Sequence, residues 1–131
     1  MALDYEGIDI TLLAAEDLSS YQYHFVTQAN DTTVQLLNAA TDAPLGVLQN
    51  APAAGQPAVV RIAGVSKLKA NAAIAVGVQV KAEYVGAADC GKADAADTEG
   101  DIARGLVVQA SGAEDDLCAA LLIYNEQSVP V

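Results

Sequence analysis

Residues 46–62, GVLQNAPAAGQPAVVRI, decide the fold class of this chain. A glycine opens a short apolar run, a loop of small residues and proline follows at residues 51–57, and a β-branched run returns at residues 59–62. Runs of Val, Leu and Ile that are separated by Gly and Pro clusters are typical of neighbouring β-strands. The stretch therefore predicts a strand, a loop and a returning strand.

A second stretch, residues 105–123, GLVVQASGAEDDLCAALLI, has the same arrangement. It also begins with a glycine before an apolar run, and the loop at residues 110–116 precedes a returning apolar run. The similarity is short, and strand–loop–strand units resemble one another by chance. Two interpretations stay open at this point, a true structural repeat and a chance likeness.

Alternation of apolar and polar residues recurs elsewhere along the chain, at residues 8–12, 21–25 and 76–80. A period of two predicts strands, because successive side chains of a strand point to opposite faces. Turn-rich stretches separate these runs at spacings typical of an all-β sandwich or barrel; they are residues 28–33, 38–44, 50–57, 86–101 and 110–116. We expect few helices, with short ones at most over residues 14–20 or 97–104.

The size and composition predict one domain that associates with itself. A length of 131 residues fits a single domain, residues 1–131. The chain has 27 Ala, no Trp and one Phe, so its core is thin for its length. Such a domain gains stability by burying surface against a copy of itself, and we expect it to form an oligomer.

The charge distribution argues against binding to nucleic acid. The net charge is −11, and residues 1–60 contain seven acidic residues and no Lys or Arg. The basic residues are nearly all within residues 61–92, namely Arg61, Lys67, Lys69, Lys81 and Lys92. DNA and RNA require a basic face that neutralises phosphates. An acidic surface instead keeps an abundant protein soluble.

The sequence also gives no sign of a membrane span, a signal peptide or a disulfide framework. Every long apolar run is interrupted by Pro, Gly, Gln or a charge, and residues 1–13 contain three acidic residues and no basic start. Cys90 and Cys118 are isolated from each other and from any CxxC pattern. We expect two reduced, unpaired thiols and no zinc site.

Residues that could carry catalysis or hold a cofactor are scarce. His24 is the single histidine, and in the predicted strand 21–25 it falls on the polar side, which predicts a surface or interface position. No glycine-rich phosphate-binding loop occurs. We therefore expect neither enzymatic activity nor a cofactor.

One acidic loop leaves a calcium site open. It places four carboxylates and a glycine within eight residues, namely Asp94, Asp97, Glu99, Gly100 and Asp101. Oxygen-rich loops hold calcium, but this spacing departs from that of an EF-hand. A solvated acidic loop is the simpler interpretation, so we assign no metal ligand.

The central part of the chain resembles the capsid cement, or head decoration, proteins of tailed bacteriophages. The similarity begins at residues 43–56, APLGVLQNAPAAGQ, and continues through residues 58–65, AVVRIAGV, and residues 67–70, KLKA. Residues 77–80, 105–107 and 121–123 follow in similar order and spacing. The resemblance covers roughly residues 43–124.

The resemblance implies a small all-β domain, a β-barrel or β-clip of the β-tulip kind. Many members are trimeric, so the resemblance implies a homotrimer. It implies a non-enzymatic protein on the outer surface of the virion, made in the cytoplasm of the host bacterium, whose partners are its own copies and the major capsid protein, with no nucleic acid or membrane partner. Such a protein stabilises the expanded icosahedral shell.

A flexible N-terminal arm, residues 1–7, is the segment that we expect to bind the shell, with Leu3, Asp4, Tyr5 and Glu6 as capsid-contact candidates.

Two other functions stay open for the chain as a whole. It could be a small ligand- or calcium-binding module, or an accessory subunit of a phage tail or baseplate.

Overall fold

The computed structural model describes residues 6–39, 42–84, 90–98 and 101–123. These ranges contain no helix, and nine strands: β1 Gly7–Ala14, β2 Phe25–Asn30, β3 Thr33–Gln35, β4 Gly46–Leu48, β5 Pro57–Lys69, β6 Gln79–Ala82, β7 Ala93–Ala95, β8 Gly105–Gln109 and β9 Leu117–Leu122. The predicted all-β class is confirmed. Neither of the short helices considered from the sequence forms in the described part of residues 14–20 and 97–104.

The first five strands close into a barrel, which confirms the barrel prediction. The order around the barrel is β1-β3-β2-β4-β5, and β1 also pairs with β5. The pairing of β1 with β3 is parallel, and the other four pairings are antiparallel. Closure gives both edges of each of these strands a partner strand, which satisfies their backbone groups. We call this unit the first barrel.

The remaining strands continue the sheet and form a second ring. Residues 65–69 of β5 pair with β9, and the order continues β9-β8-β6-β7. A parallel bridge from Ala70 to Ala93 brings β7 back beside the end of β5. We call this unit the second ring. Since residues 57–64 pair with β1 and residues 65–69 with β9, β5 belongs to both units.

A bulge and a pair of facing glycines mark the point where β5 passes from one unit to the other. The register of β1 against β5 shifts between Ile8 and Asp9, and Gly7 faces Gly64 beyond the shift. Gly64 has φ of +93°, and a Cβ there would lie 2.6 Å from the carbonyl oxygen of Glu6. Only glycine fits this close approach, and the bulge bends the strand there.

The two units are structural repeats of each other. Val26 pairs with Gly46 in the first barrel as Val80 pairs with Gly105 in the second ring. The same equivalence relates the other pairings: Leu48 with Val60 and Val107 with Ala120, Gln28 with Val34 and Ala82 with Ala93, and the parallel contacts Ala14 with Val34 and Ala70 with Ala93. The interpretation as a true repeat is therefore correct, and the repeat extends well beyond residues 46–62 and 105–123.

The turns of the two units also match. The backbone N–H of Tyr23 donates to Leu48, and that of Gly77 donates to Val107, at 2.7 and 2.9 Å. Tyr23 has φ of 66° and Gly77 has φ of 89°, so both turns require a left-handed residue at the same place. A second matched pair of left-handed residues, Gly55 and Asp115, occurs in the loops before β5 and β9.

Each unit has its own core. All seven buried apolar residues of the first core have a buried counterpart in the second: Ala14 and Ala70, Leu18 and Ile74, Val26 and Val80, Val34 and Ala93, Leu48 and Val107, Ala58 and Cys118, Val60 and Ala120. The second core contains additional residues from the first barrel, notably Phe25 and Val47. The second ring therefore packs against the outer face of β2 and β4.

Two of the strands predicted from alternation begin later than expected. Residues 21–24 form a turn, closed by a hydrogen bond from the N–H of His24 to the carbonyl of Tyr21, and β2 begins at Phe25. Residues 75–78 form the equivalent turn, and β6 begins at Gln79. The alternation at residues 8–12 does lie in a strand, β1.

Candidate functional site

The N-terminal contact candidates are only partly described by the structure. Leu3, Asp4 and Tyr5 lie outside the described residues. Glu6 is exposed, and its carbonyl accepts a hydrogen bond from the N–H of Val65 at 3.3 Å. Gly7, which the sequence assigned to the arm, is the first residue of β1. The backbone is therefore held against β5 from Glu6 onward, and an arm would have to end before that residue.

His24 is buried, which corrects the prediction of a surface or interface position. Its side chain is 2% exposed, its Nδ1 lies 2.8 Å from the carbonyl oxygen of Cys90, and its ring meets the ring of Tyr21 edge-on. Since a carbonyl only accepts, Nδ1 carries the proton and donates. The prediction failed because residues 21–24 form a turn, so the alternation of a strand does not apply to them.

The surroundings of His24 favour its neutral form. Burial lowers the pKa of His24 below its ordinary value, the hydrogen bond to Cys90 opposes this, and Lys69 and Lys92 lower it further while Asp115 raises it. A histidine in this environment is a structural donor at the junction of the two units. Its described contacts are the backbone carbonyl of Cys90 and the ring of Tyr21, and we assign it no catalytic role.

The junction itself is built from backbone hydrogen bonds between the turn of the first barrel and the second ring. The N–H of Phe25 donates to Gly91 at 2.8 Å, and the N–H of Lys69 donates to Tyr23 at 2.9 Å. Phe25 itself is 2% exposed. These contacts fix the first barrel relative to the second ring and so position their outer surfaces.

Ion pairs and one aromatic contact engage basic residues at several places in the chain. Arg61 pairs with Asp9 at 2.8 Å, Lys81 with Asp101 at 3.2 Å, and Lys92 with Asp115 at 2.7 Å. Lys67 lies over the ring of Tyr23, 5.8 Å from its centroid. At least three of the six basic residues have acidic partners, which reduces the charge that they offer to a phosphate backbone.

Two carboxylates of the acidic loop, Asp97 and Asp101, accept hydrogen bonds within the protein. Asp101 accepts a hydrogen bond from Lys81 and another from the N–H of Thr98, and Asp97 accepts one from the hydroxyl of Thr98. Glu99 and Gly100 lie outside the described residues. Within residues 6–39, 42–84, 90–98 and 101–123 no group of three metal-ligating side chains comes together.

The two thiols are unpaired, as the sequence predicts. Cys90 and Cys118 are both buried, and burial raises the pKa of each to about 11. The thiol of Cys90 donates to the carbonyl of Leu37 at 2.6 Å. Thiols with such high pKa values are poor nucleophiles at neutral pH and serve as core packing.

An exposed apolar face, which sequence reasoning did not identify, lies on the second ring. Leu121 is 42% exposed and Leu117 is 37% exposed on the same side of β9. Val65 and Leu106 lie on either side of Leu121 in the adjacent strands. The alternation in residues 117–122 is hidden by the alanines between the leucines, so the sequence shows an apolar run and not two faces.

No helix in the described part of the chain is long and apolar enough to cross a membrane.

Comparison with known proteins gives a likeness of fold. No family model matches the sequence, and no curated protein matches it. Among solved structures the chain is similar to the head fiber gp8.5 N base of bacteriophage phi29, with a TM-score of 0.65 and 17% sequence identity. The match covers 93% of this chain and 98% of that chain. What this chain shares with the phage head fiber base is the fold of the whole domain.

Proposed function

We propose that this chain is a non-enzymatic structural protein of a tailed bacteriophage that binds the outer surface of the head and stabilises the expanded shell as a homotrimer. The observation that carries the proposal is the likeness of fold to a phage head fiber base over nearly the full length of both chains. The resemblance of residues 43–124 to capsid cement proteins supports it from the sequence. The proposed site of action is the virion, with the major capsid protein as partner.

The distribution of polar groups supports a binding role over a catalytic one. The single histidine is buried and donates to a backbone carbonyl, and both thiols are buried with raised pKa values. A protein that stabilises a shell needs complementary surfaces and no reactive group. It acts by mass action, because it binds the assembled shell and not the separated subunits.

The net charge of −11 fits the same role. A strongly acidic surface keeps free copies soluble and apart from nucleic acid until they meet a complementary surface. The acidic residues outnumber the basic ones by 17 to 6, and at least three of the six basic residues form ion pairs within the chain, so the negative charge dominates encounters with a partner.

The proposal is tested by sedimentation with emptied, expanded phage heads that lack their decoration protein. We expect the chain to pellet with the heads at saturable stoichiometry and to raise the temperature at which the heads dissociate. Heads in the unexpanded state serve as the control surface, and purified tails and baseplates test the accessory-subunit alternative. Sedimentation with tails and not with heads would overturn the assignment to the head.

A further inference from the structure

The starting observation is a row of apolar side chains on the outer surface of the second ring. Val65 of β5 lies opposite Leu121 of β9, and Leu121 lies opposite Leu106 of β8. Residues that are directly opposite in neighbouring strands share one face of a sheet. Leu117 is on the same face of β9, four residues before Leu121, with the small Ala119 between them. We call this surface, formed by Val65, Leu106, Leu117 and Leu121, the Leu121 face.

The repeat shows that the fold does not require apolar residues at these positions. The residues of the first barrel equivalent to Val65 and Leu121 are Asp9 and Arg61, which pair with each other across β1 and β5 in the same way. Their side chains form an ion pair at 2.8 Å. The second ring replaces this charged pair by two apolar residues, one of them 42% exposed. Exposed apolar residues that are gathered on one face mark a binding surface.

The first barrel also shows what covers such a surface. Val47, the equivalent of Leu106, is fully buried, and Phe25, the equivalent of Gln79, is 2% exposed, because the second ring packs on them. The body that covers this face within the chain is therefore a five-stranded unit of the same repeat. The matching face of the second ring has no such cover within the described residues, and a further copy of the chain carries a unit of that shape.

The charge around the face fits the same partner. Lys67 and Lys69 alternate with buried Ser66 and Leu68 along β5, so they lie on the same side of the strand as Val65, opposite Ala119 and Leu117. A second copy has a net charge of −11 and offers carboxylates to these lysines.

We propose that the Leu121 face is the surface through which this chain binds a second copy of itself. The inference deepens the proposed homotrimer by assigning its contact, and it concerns self-association in solution, which is measured without phage heads. A substitution that introduces a charge at the centre of the face then weakens assembly, because an unpaired carboxylate would be desolvated there.

The test compares Leu121→Glu with Val76→Glu by sedimentation equilibrium over a wide range of protein concentration. Val76 is 63% exposed in the turn before β6, so its variant adds the same charge outside the face. We expect the wild-type chain and Val76→Glu to form the same oligomer, and Leu121→Glu to raise the dissociation constant by about tenfold or more. Leu117→Glu, at the border of the face, is a second variant, and the thermal unfolding of each variant shows that it is folded.

Two results would overturn the proposal. One is a wild-type chain that stays monomeric at every concentration, even if it binds heads. The other is a pair of folded variants, Leu121→Glu and Leu117→Glu, that assemble as the wild type does. If a monomeric Leu121→Glu variant still binds heads, the proposed function stands and the Leu121 face serves self-association alone. If a variant still assembles but no longer binds heads, the Leu121 face binds the shell and the inference is refuted.

Discussion

Replacement of Gly91 by alanine tests the junction between the first barrel and the second ring. Gly91 has φ of +83°, and a Cβ there would meet the carbonyl oxygen of Phe25 and lie 3.2 Å from the Cβ of His24. Gly77 has a similar φ of +89°, but a Cβ there would have nothing within 4 Å. The two alanine variants therefore share the cost of a left-handed residue and differ in the contact with the first barrel.

The left-handed conformation costs an alanine about 1–2 kcal/mol. Crowding against a backbone that cannot move away adds about 1–3 kcal/mol at Gly91. We expect Gly77→Ala to lower the free energy of unfolding by about 1–2 kcal/mol and Gly91→Ala by about 2–5 kcal/mol.

Urea unfolding followed by circular dichroism measures both values, with an unchanged m-value as the check that the same surface is exposed. If Gly91→Ala cost no more than Gly77→Ala, the close packing of the turn at residues 21–25 on the second ring would be refuted.

Three further predictions follow from His24, the thiols and the N-terminus. Because the folded pKa of His24 lies below its ordinary value of 6.5, the unfolded chain takes up the proton first, and stability should be lost as the pH falls from 6.5 through the folded pKa. The variant His24→Asn keeps a donor near Cys90 and does not titrate, so its urea midpoint should fall less over this pH range. Equal falls of the urea midpoint in the wild type and the variant would contradict the assignment. Cys90 and Cys118 should react slowly with a thiol reagent in the native state and fully in urea, and a reductant should leave the Tm unchanged. A fall in Tm that corresponds to a loss of roughly 2–5 kcal/mol in the free energy of unfolding, as for a lost disulfide, would contradict unpaired thiols. Deletion of residues 2–5 should leave the Tm unchanged, since β1 begins at Gly7, while it weakens sedimentation with expanded heads; unchanged head affinity would remove the arm from the proposed function.

The sequence predicts the fold class well, because the strands that begin at a glycine are marked by residues close together in the chain. The two glycine-led strands, β4 and β8, and their returning strands can be recognised from the order of glycine, apolar run and loop. The full repeat could not be predicted, because equivalent positions differ in chemistry. Phe25, which is buried under the second ring, corresponds to the exposed Gln79. Arg61, which pairs with Asp9, corresponds to the apolar Leu121.

The errors at residues 21–25 have a different cause. Tyr21, Tyr23 and Phe25 alternate with polar residues as in a strand, yet Tyr23 has φ of 66° in a turn where the second unit has the expected glycine, Gly77. An aromatic residue in the left-handed region gives no warning in the sequence. His24 was assigned to the surface for the same reason, and its burial follows from a contact 66 positions away along the chain, with Cys90.

The sharing of β5 means that each unit fixes the strand register of the other. A slip of β5 by one residue against β1 would turn Ala58 and Val60 out of the first core, because side chains alternate between faces. The same slip would displace residues 65–69 along β9 by about 3.3 Å and move Leu68 out of the second core. A register shift in either unit is therefore opposed by the packing of both. Two small, alanine-rich cores together hold β5 in a single register.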